Sequence, residues 1–305
     1  MKNNIKILDT LVIGRINRLK SAIGNTPTVD LGDGIFGKVE GLNPAGSIKD
    51  RAAFYIIKNA LESGELLPHG TVVEATSGNT GIGIAYVARE LELNAIICMP
   101  DNMSAERRAM IANYGAELVL TPASEGMSGA VAEAKRIKES DGAFIANQFG
   151  NSASITAHIE TTAPELFAQL PNVRHVICGI GSGGTAMGIA KYISAHNLDC
   201  EVIGVEPSSS PLLSKGYAGA HKIQGIGANF IPEILDVSEL SRIETADGDE
   251  AILSVKQLYQ TSGYKCGISS GAVYCVAKRL RKELKGDIAI ILPDNGERYG
   301  EELYS

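Results

Sequence analysis

The sequence predicts an α/β protein of two open twisted sheets with helices on both faces, and three observations predict it. Short apolar or β-branched runs alternate with segments of helical spacing along most of the chain. Clusters of glycine follow several of those runs, where a strand would hand over to a helix. At roughly 100–200 residues per domain, the 305 residues suggest two domains or one large one, and the grouping of the units favours two.

Taken in order, the amphipathic stretch 52–64 (AAFYIIKNALESG) reads as a helix opened by Lys49. TVVEA (71–75) is a β-branched strand, and after a Gly/Ser/Thr turn 82–92 (IGIAYVARELE) has helical spacing. NAIICMP (94–100) is a buried-strand run. The next helix has a start signal at Ser104 and a stop at Gly115. AELVLTP (116–122) predicts a strand and 128–140 (SGAVAEAKRIKES) a helix. VRHVICGIG (173–181), CEVIGVEP (200–207) and DIAIILPD (287–294) repeat the strand pattern, and 273–284 (VYCVAKRLRKEL) reads as helix. The units form two groups, 38–150 and 173–300, with 149–166 as the crossing segment. The expected division is a smaller domain of 38–150, and a larger one of 1–37 plus 151–305. Ligands are expected beyond the carboxyl ends of strands, in a cleft between the two domains.

Composition narrows the function classes. Hydrophobic residues are 44% and charged residues 21%, as in folded globular proteins, and the net charge is −7. No dense Lys/Arg block appears, so binding along a nucleic-acid backbone is not expected. The five cysteines are odd in number and contain no CxxC pair, which argues against a metal finger or a disulfide framework. No metal site is expected, and free thiols in a reducing cytoplasm are. The first 20 residues lack an uninterrupted apolar stretch and a small-residue cleavage site, so no secretory signal is expected. No uncharged apolar run reaches about 18 residues, so no membrane span is expected.

Five clusters carry candidate chemistry. TSGNTG (76–81) follows a strand and gathers hydroxyl and amide donors at a helix start; it reads equally as an anion cradle or an N-capped turn. GIGSGGT (179–185) suits a phosphate cradle better than a plain turn. It lacks the Walker spacing, and Glu201 and Glu206 leave a nicotinamide reading open. Lys49, in NPAGSIKDRAAF (43–54), stands at a helix N-terminus, where the dipole disfavours an ammonium. It is either a solvated lysine or one placed for covalent carbonyl chemistry. GISSGA (267–272) and LPDNGERY (292–299) each read as a turn with a cap.

Together these segments resemble the cysteine synthase (O-acetylserine sulfhydrylase) branch of the pyridoxal-phosphate β-family, fold type II, to which the tryptophan synthase β-chain also belongs. The resemblance rests on GNTPTVDL (24–31), NPAGSIKDR (43–51), TSGNTGI (76–82), MPDNMSAERRAMIANYGAELVLTP (99–122), NQF (147–149), GSGGT (181–185), GVEPSSSPLLS (204–214), HKIQGIGANFIP (221–232), GISSGA (267–272) and LPDNGERY (292–299), all in family order. It implies that Lys49 holds pyridoxal 5′-phosphate covalently and that Gly181, Ser182, Gly183, Gly184 and Thr185 bind its phosphate. It implies that Asn79 meets the 3′-oxygen, Ser269 the pyridine nitrogen, and Thr76, Ser77, Gly78, Thr80 and Gln148 the substrate. The implied reaction makes L-cysteine from O-acetyl-L-serine and sulfide, through an α-aminoacrylate, with loss of acetate. Alternatives on the same scaffold are an O-phosphoserine donor or an amine or water nucleophile. A cytoplasmic homodimer is implied, as is docking of a serine acetyltransferase C-terminal tail, a regulatory role added to catalysis. The smaller domain is implied to be mobile and to grip the substrate.

The chain departs from the family pattern at GNSAS (150–154), at Ala163 in TTAPE, and in a short stretch from Val29 to Lys38. His158 is expected to pack or cap rather than catalyse, and Arg107 and Arg108 to be solvated. Cys178 and Cys266 are expected to be buried apolar residues.

Overall fold

The computed structural model describes residues 8–305. Residues 1–7, part of the stretch expected to lack a secretory signal, lie outside the described residues. In chain order the elements are α1 (Thr10–Ala22), β1 (Thr28–Asp30), β2 (Ile35–Val39), α2 (Lys49–Ser63), β3 (Thr71–Ala75), α3 (Asn79–Glu90), β4 (Asn94–Pro100), α4 (Ala105–Ala112), β5 (Glu117–Thr121), α5 (Gly126–Asp141) and β6 (Phe144–Ile145). They continue with α6 (Ala153–Ala157), α7 (Ala163–Gln169), β7 (Val173–Gly179), α8 (Gly184–His196), β8 (Glu201–Pro207), α9 (Leu212–Lys215), β9 (Arg242–Ala246), α10 (Gly248–Ser262), α11 (Ile268–Leu280) and β10 (Asp287–Leu292). Among the described residues no helix is long and apolar enough to cross a membrane.

The contacts divide the described residues into two units, one of residues 8–23 and 49–154, the other of residues 24–48 and 155–305. The expected boundaries therefore shift, for two physical reasons. Strand β2 pairs in parallel with β10, which carries residues 38–48 into the second unit. Helix α1 packs on α2 and α3, which carries it into the first.

The first unit holds a parallel four-stranded sheet in the order β5-β4-β3-β6. Val73, Cys98, Ala130, Ala134 and Ile137 form a core between this sheet and α5. Helices α2 and α3 also pack closely, because α3 carries Gly83 at the crossing: a Cβ there would lie 3.1 Å from the Lys49 carbonyl oxygen. The fold thereby sets the start of α2 against the body of α3.

The second unit holds a six-stranded sheet in the order β1-β2-β10-β7-β8-β9, parallel except for the β1–β2 pair. Neighbouring residues of its central strands serve opposite cores. Ile177, Ile203, Ile288 and Ile290 belong to one, and Val176, Cys178, Val202, Ala289 and Ile291 to the other. A sheet covered on both faces needs apolar residues at every position, which is why these strands read as unbroken apolar runs.

Two kinds of helix start contrast. Asp9, Ser104 and Asp247 cap α1, α4 and α10 through side-chain oxygens that accept backbone N–H groups. Helices α3, α8 and α11 begin instead at Gly78, Gly183 and Gly267, with no side-chain cap. Each of these three follows one of the glycine clusters.

Candidate active site

In the first unit, β3 ends at Ala75 and the chain enters Thr76–Gly81. The Thr76 amide bonds to the Cys98 carbonyl at 3.1 Å, so the loop starts in register with β4. Gly78 is extended (φ −120°, ψ −159°), and α3 begins at Asn79. An uncapped helix start leaves first-turn N–H groups that favour an anion. Buried Thr76 and Thr80 and half-buried Ser77 and Asn79 line it. Thr80 donates its hydroxyl proton to Gln148 Oε1, which leaves the Gln148 side-chain N–H groups to donate elsewhere.

Lys49 begins α2 and is half-buried. Burial lowers its pKa to about 8, against the opposing pull of the Glu74 carboxylate. At pH 7 about a tenth of such a lysine is neutral, a fraction that supports attack on a carbonyl. Glu74, buried at the end of β3, is pushed up to about 7 by burial. The Gln148 and Asn147 amides and Lys49 act in the opposite direction on it.

In the second unit, β7 runs into Gly179–Thr185. A Cβ on Gly181 would lie 2.5 Å from the Gly225 carbonyl oxygen, and one on Gly179 would lie 2.6 Å from Ile226 Cγ2. Glycine at 181 lets the Gly225 backbone lie against this loop, and glycine at 179 leaves room for the Ile226 side chain. Gly183 (φ +87°) then turns the chain into α8. Thr185 Oγ1 lies 3.2 Å from His158 Nε2, and His158 Nδ1 lies 2.8 Å from Thr162 Oγ1. His158 is buried at the head of a π-helical stretch, His158–Thr162. Ser269, also buried, lies in the first turn of α11, and a Cβ on Gly225 (φ +90°) would be 4.0 Å from its Oγ. The second unit thus gathers Gly181–Thr185, Gly225 and Ser269 around one segment of backbone.

Each residue expected at the site therefore has a place. Lys49, Thr76, Ser77, Gly78, Asn79, Thr80 and Gln148 stand in the first unit, and Gly181–Thr185 and Ser269 in the second. Three participants were not assigned from the sequence. Gly225 lies in the segment 221–232 without a role there, and Glu74 stands two residues before the Thr76–Gly81 cluster. His158 was expected to pack or cap; it is buried, and it also bonds to Thr185. Arg108 is tied to the Met103 and Asp101 carbonyls. Cys178 and Cys266 are buried, with burial pushing both thiols up to about 12, so neither is a nucleophile near neutral pH.

The donor set fits pyridoxal phosphate. The first unit offers a lysine amine of lowered pKa, and the second a glycine cradle at an uncapped helix start that suits a phosphate. Ser269 offers a hydroxyl rather than a carboxylate.

Comparison with known proteins gives the same direction. The family described as pyridoxal-phosphate dependent enzyme matches residues 19–294. Cysteine synthase B of Campylobacter jejuni is 45% identical over 288 residues, covering 92% of this chain and 96% of its own. A cysteine synthase of Staphylococcus aureus is 41% identical over 302 residues, covering 95% of this chain and 97% of its own. Among solved structures, isoform 3 of O-acetylserine sulfhydrylase from Entamoeba histolytica matches with a TM-score of 0.89 at 33% identity, covering 100% of this chain and 94% of its own.

Proposed function

This chain belongs to the pyridoxal-phosphate dependent enzymes, and from that premise we propose that it joins sulfide to the β-carbon of O-acetyl-L-serine, forming L-cysteine and releasing acetate. The observation that carries the reading is a lysine of pKa about 8 in the same unit as an uncapped helix start lined by Thr76, Ser77, Thr80 and Gln148. An amino-acid substrate needs both, an anion cradle for its carboxylate and a carbonyl carrier for its amine, which such a lysine can hold. When bound, pyridoxal phosphate supplies the electron sink that lets the α-proton and then the β-substituent leave.

The chain's own residues do the rest. Lys49 Nζ would hold the cofactor, and as an amine of lowered pKa it would take up the proton from the substrate α-carbon. Thr76, Ser77, Gly78, Thr80 and Gln148 hold the α-carboxylate, each charge-assisted hydrogen bond contributing about 1.5–3 kcal/mol. Asn79 would meet the 3′-oxygen, and Gly181, Ser182, Gly183, Gly184 and Thr185 would hold the phosphate with the first-turn amides of α8. Ser269 would meet the pyridine nitrogen with a neutral hydroxyl, which brings no negative charge to it. With such a partner the group would supply a weaker electron sink, which suits loss of a β-substituent more than exchange of the amino group. In support, the buried Ser269 lies beside Gly225, against whose backbone the phosphate loop also rests.

The test is a matrix of donors against nucleophiles, with products identified by mass. O-acetylserine and sulfide should give cysteine at the highest kcat/KM. A faster reaction from O-phosphoserine, or with an amine or water, would overturn this choice of substrates. The proposal includes a cytoplasmic homodimer, checked by light scattering and fractionation. It also includes docking of a serine acetyltransferase C-terminal tail, checked by competition of the tail peptide against O-acetylserine.

A further inference from the structure

We propose that Glu74 is a positioning residue of the substrate-carboxylate cradle, acting by clamping the backbone of Gln148. The inference rests on the proposed role of Gln148 in binding the amino-acid carboxylate.

The geometry begins in the sheet. Strand β6 pairs with β3 at Val72 and Val73 only, and the last ladder bond runs from the Ala146 amide to the Val73 carbonyl at 3.1 Å. Beyond it Asn147 turns left-handed (φ 51°), a conformation uncommon for a residue with a side chain. The turn takes the next two amides off the ladder and onto one carboxylate. Asn147 N donates to Glu74 Oε2 at 2.8 Å, and Gln148 N to Glu74 Oε1 at 3.2 Å. Each oxygen takes one N–H, so the carboxylate stands where a strand partner would otherwise be.

Two acceptors at this spacing specify the residue type. A glutamine would accept one amide and set its own N–H against the other. An aspartate would fall one methylene short. The consequence passes directly to the cradle, because the Gln148 side chain is the acceptor for Thr80 at the α3 start. The two residues that meet there are 68 apart in sequence. Glu74 fixes the backbone of one of them. Its charge also acts on Lys49 from within the same unit.

A merely structural glutamate would affect stability and leave substrate binding independent of Gln148. The test is a double-mutant cycle on the cofactor-loaded enzyme, with Glu74→Gln, Gln148→Ala and the pair. The readouts are cofactor content, the dissociation constant of unreactive L-alanine followed by the cofactor spectrum, and KM and kcat for O-acetylserine. Glu74→Gln should keep full cofactor and weaken L-alanine binding about tenfold, the loss expected for one charge-assisted hydrogen bond. KM should rise by a similar factor, with kcat within about threefold. Added to Gln148→Ala it should cost no more than about twofold further, because coupled residues are not additive. Independent, multiplying losses would overturn the proposal, as would unchanged L-alanine binding in Glu74→Gln. If Gln148→Ala alone leaves L-alanine binding unchanged, the carboxylate role of Gln148 fails, and this proposal with it. Should Glu74→Gln not melt cooperatively, the same cycle with Glu74→Asp decides, since aspartate keeps the charge and shortens the reach.

Discussion

Helices α3 and α8 start alike and are built differently. Both follow a parallel strand, both begin at a glycine, and neither has a side-chain cap. At α8 the loop is pinned: a Cβ on Gly179, Gly181 or Gly183 would come within 2.6, 2.5 and 2.9 Å of Ile226, Gly225 and Leu235. At α3 a Cβ on Gly78 would meet nothing within 4 Å. The lining differs in kind as well. The α3 start has Lys49 and Glu74 in its own unit, titrating at about 8 and about 7, whereas Thr185 at the α8 start is held by His158. A pinned, glycine-lined start suits an anion that stays, such as a cofactor phosphate. An open start with hydroxyls and titratable neighbours suits an anion that comes and goes, such as a substrate carboxylate.

Variants at the α3 region sharpen this contrast. Lys49→Ala should have the largest effect, lowering kcat about 10³-fold or more, in keeping with loss of a proton-transfer group. Borohydride should then fix no cofactor to the protein, although the α8 loop is intact. Full activity with cofactor still fixed would remove Lys49 from the account. Thr80→Ala should come next, weakening L-alanine binding about tenfold because the Gln148 side chain loses the hydroxyl that holds it, with cofactor content unchanged. A spectral titration superimposable on wild type would contradict it.

A smaller effect concerns the protein without cofactor. Burial lowers the Lys49 pKa from 10.5 to about 8, so the native state disfavours its ammonium. The cost is full below about pH 8, shrinks as pH rises between 8 and 10.5, and is gone above that. Lys49→Met should therefore stabilise the apo-protein at pH 7 by on the order of 2 kcal/mol, since the side chain keeps some solvent access. Glu74, already raised to about 7, takes up a proton in the variant. Denaturant unfolding at pH 7 and pH 10.5 checks this, and an equal difference at both would count against the lysine as its source.

Much of this arrangement was legible in the sequence wherever a local pattern existed. TVVEA, NAIICMP and the apolar parts of VRHVICGIG, CEVIGVEP and DIAIILPD are strands β3, β4, β7, β8 and β10. Ser104 caps α4 as its position suggested. The glycine clusters stand at the starts of α3, α8 and α11, because a helix start free of side chains is itself a sequence signature. Other elements were unread. Strand β2 carries Lys38, a buried cation whose partner is Glu165, 127 residues away, and this charge breaks the apolar run. Strand β9, RIETA, is a half-polar edge strand, and the Asp247 and Gly263 that bound α10 were passed over. The clamp of Glu74 on Asn147 and Gln148 spans 73 and 74 residues, so no local period announces it. Sheet order and close backbone approaches such as Gly181 to Gly225 are likewise products of tertiary structure.

The most direct test of the division between the two helix starts is to place one methyl group in each. Gly181→Ala and Gly78→Ala are compared for cofactor content after purification and for L-alanine binding in whatever holoenzyme remains. The account predicts that Gly181→Ala loses cofactor, because its Cβ meets the Gly225 carbonyl at 2.5 Å and such overpacking costs about 1–3 kcal/mol. Gly78→Ala should keep full cofactor and lose amino-acid affinity, because its Cβ enters the open space at the α3 start. Cofactor loss in Gly78→Ala with unimpaired cofactor in Gly181→Ala would contradict the assignment of the two anions to the two helices.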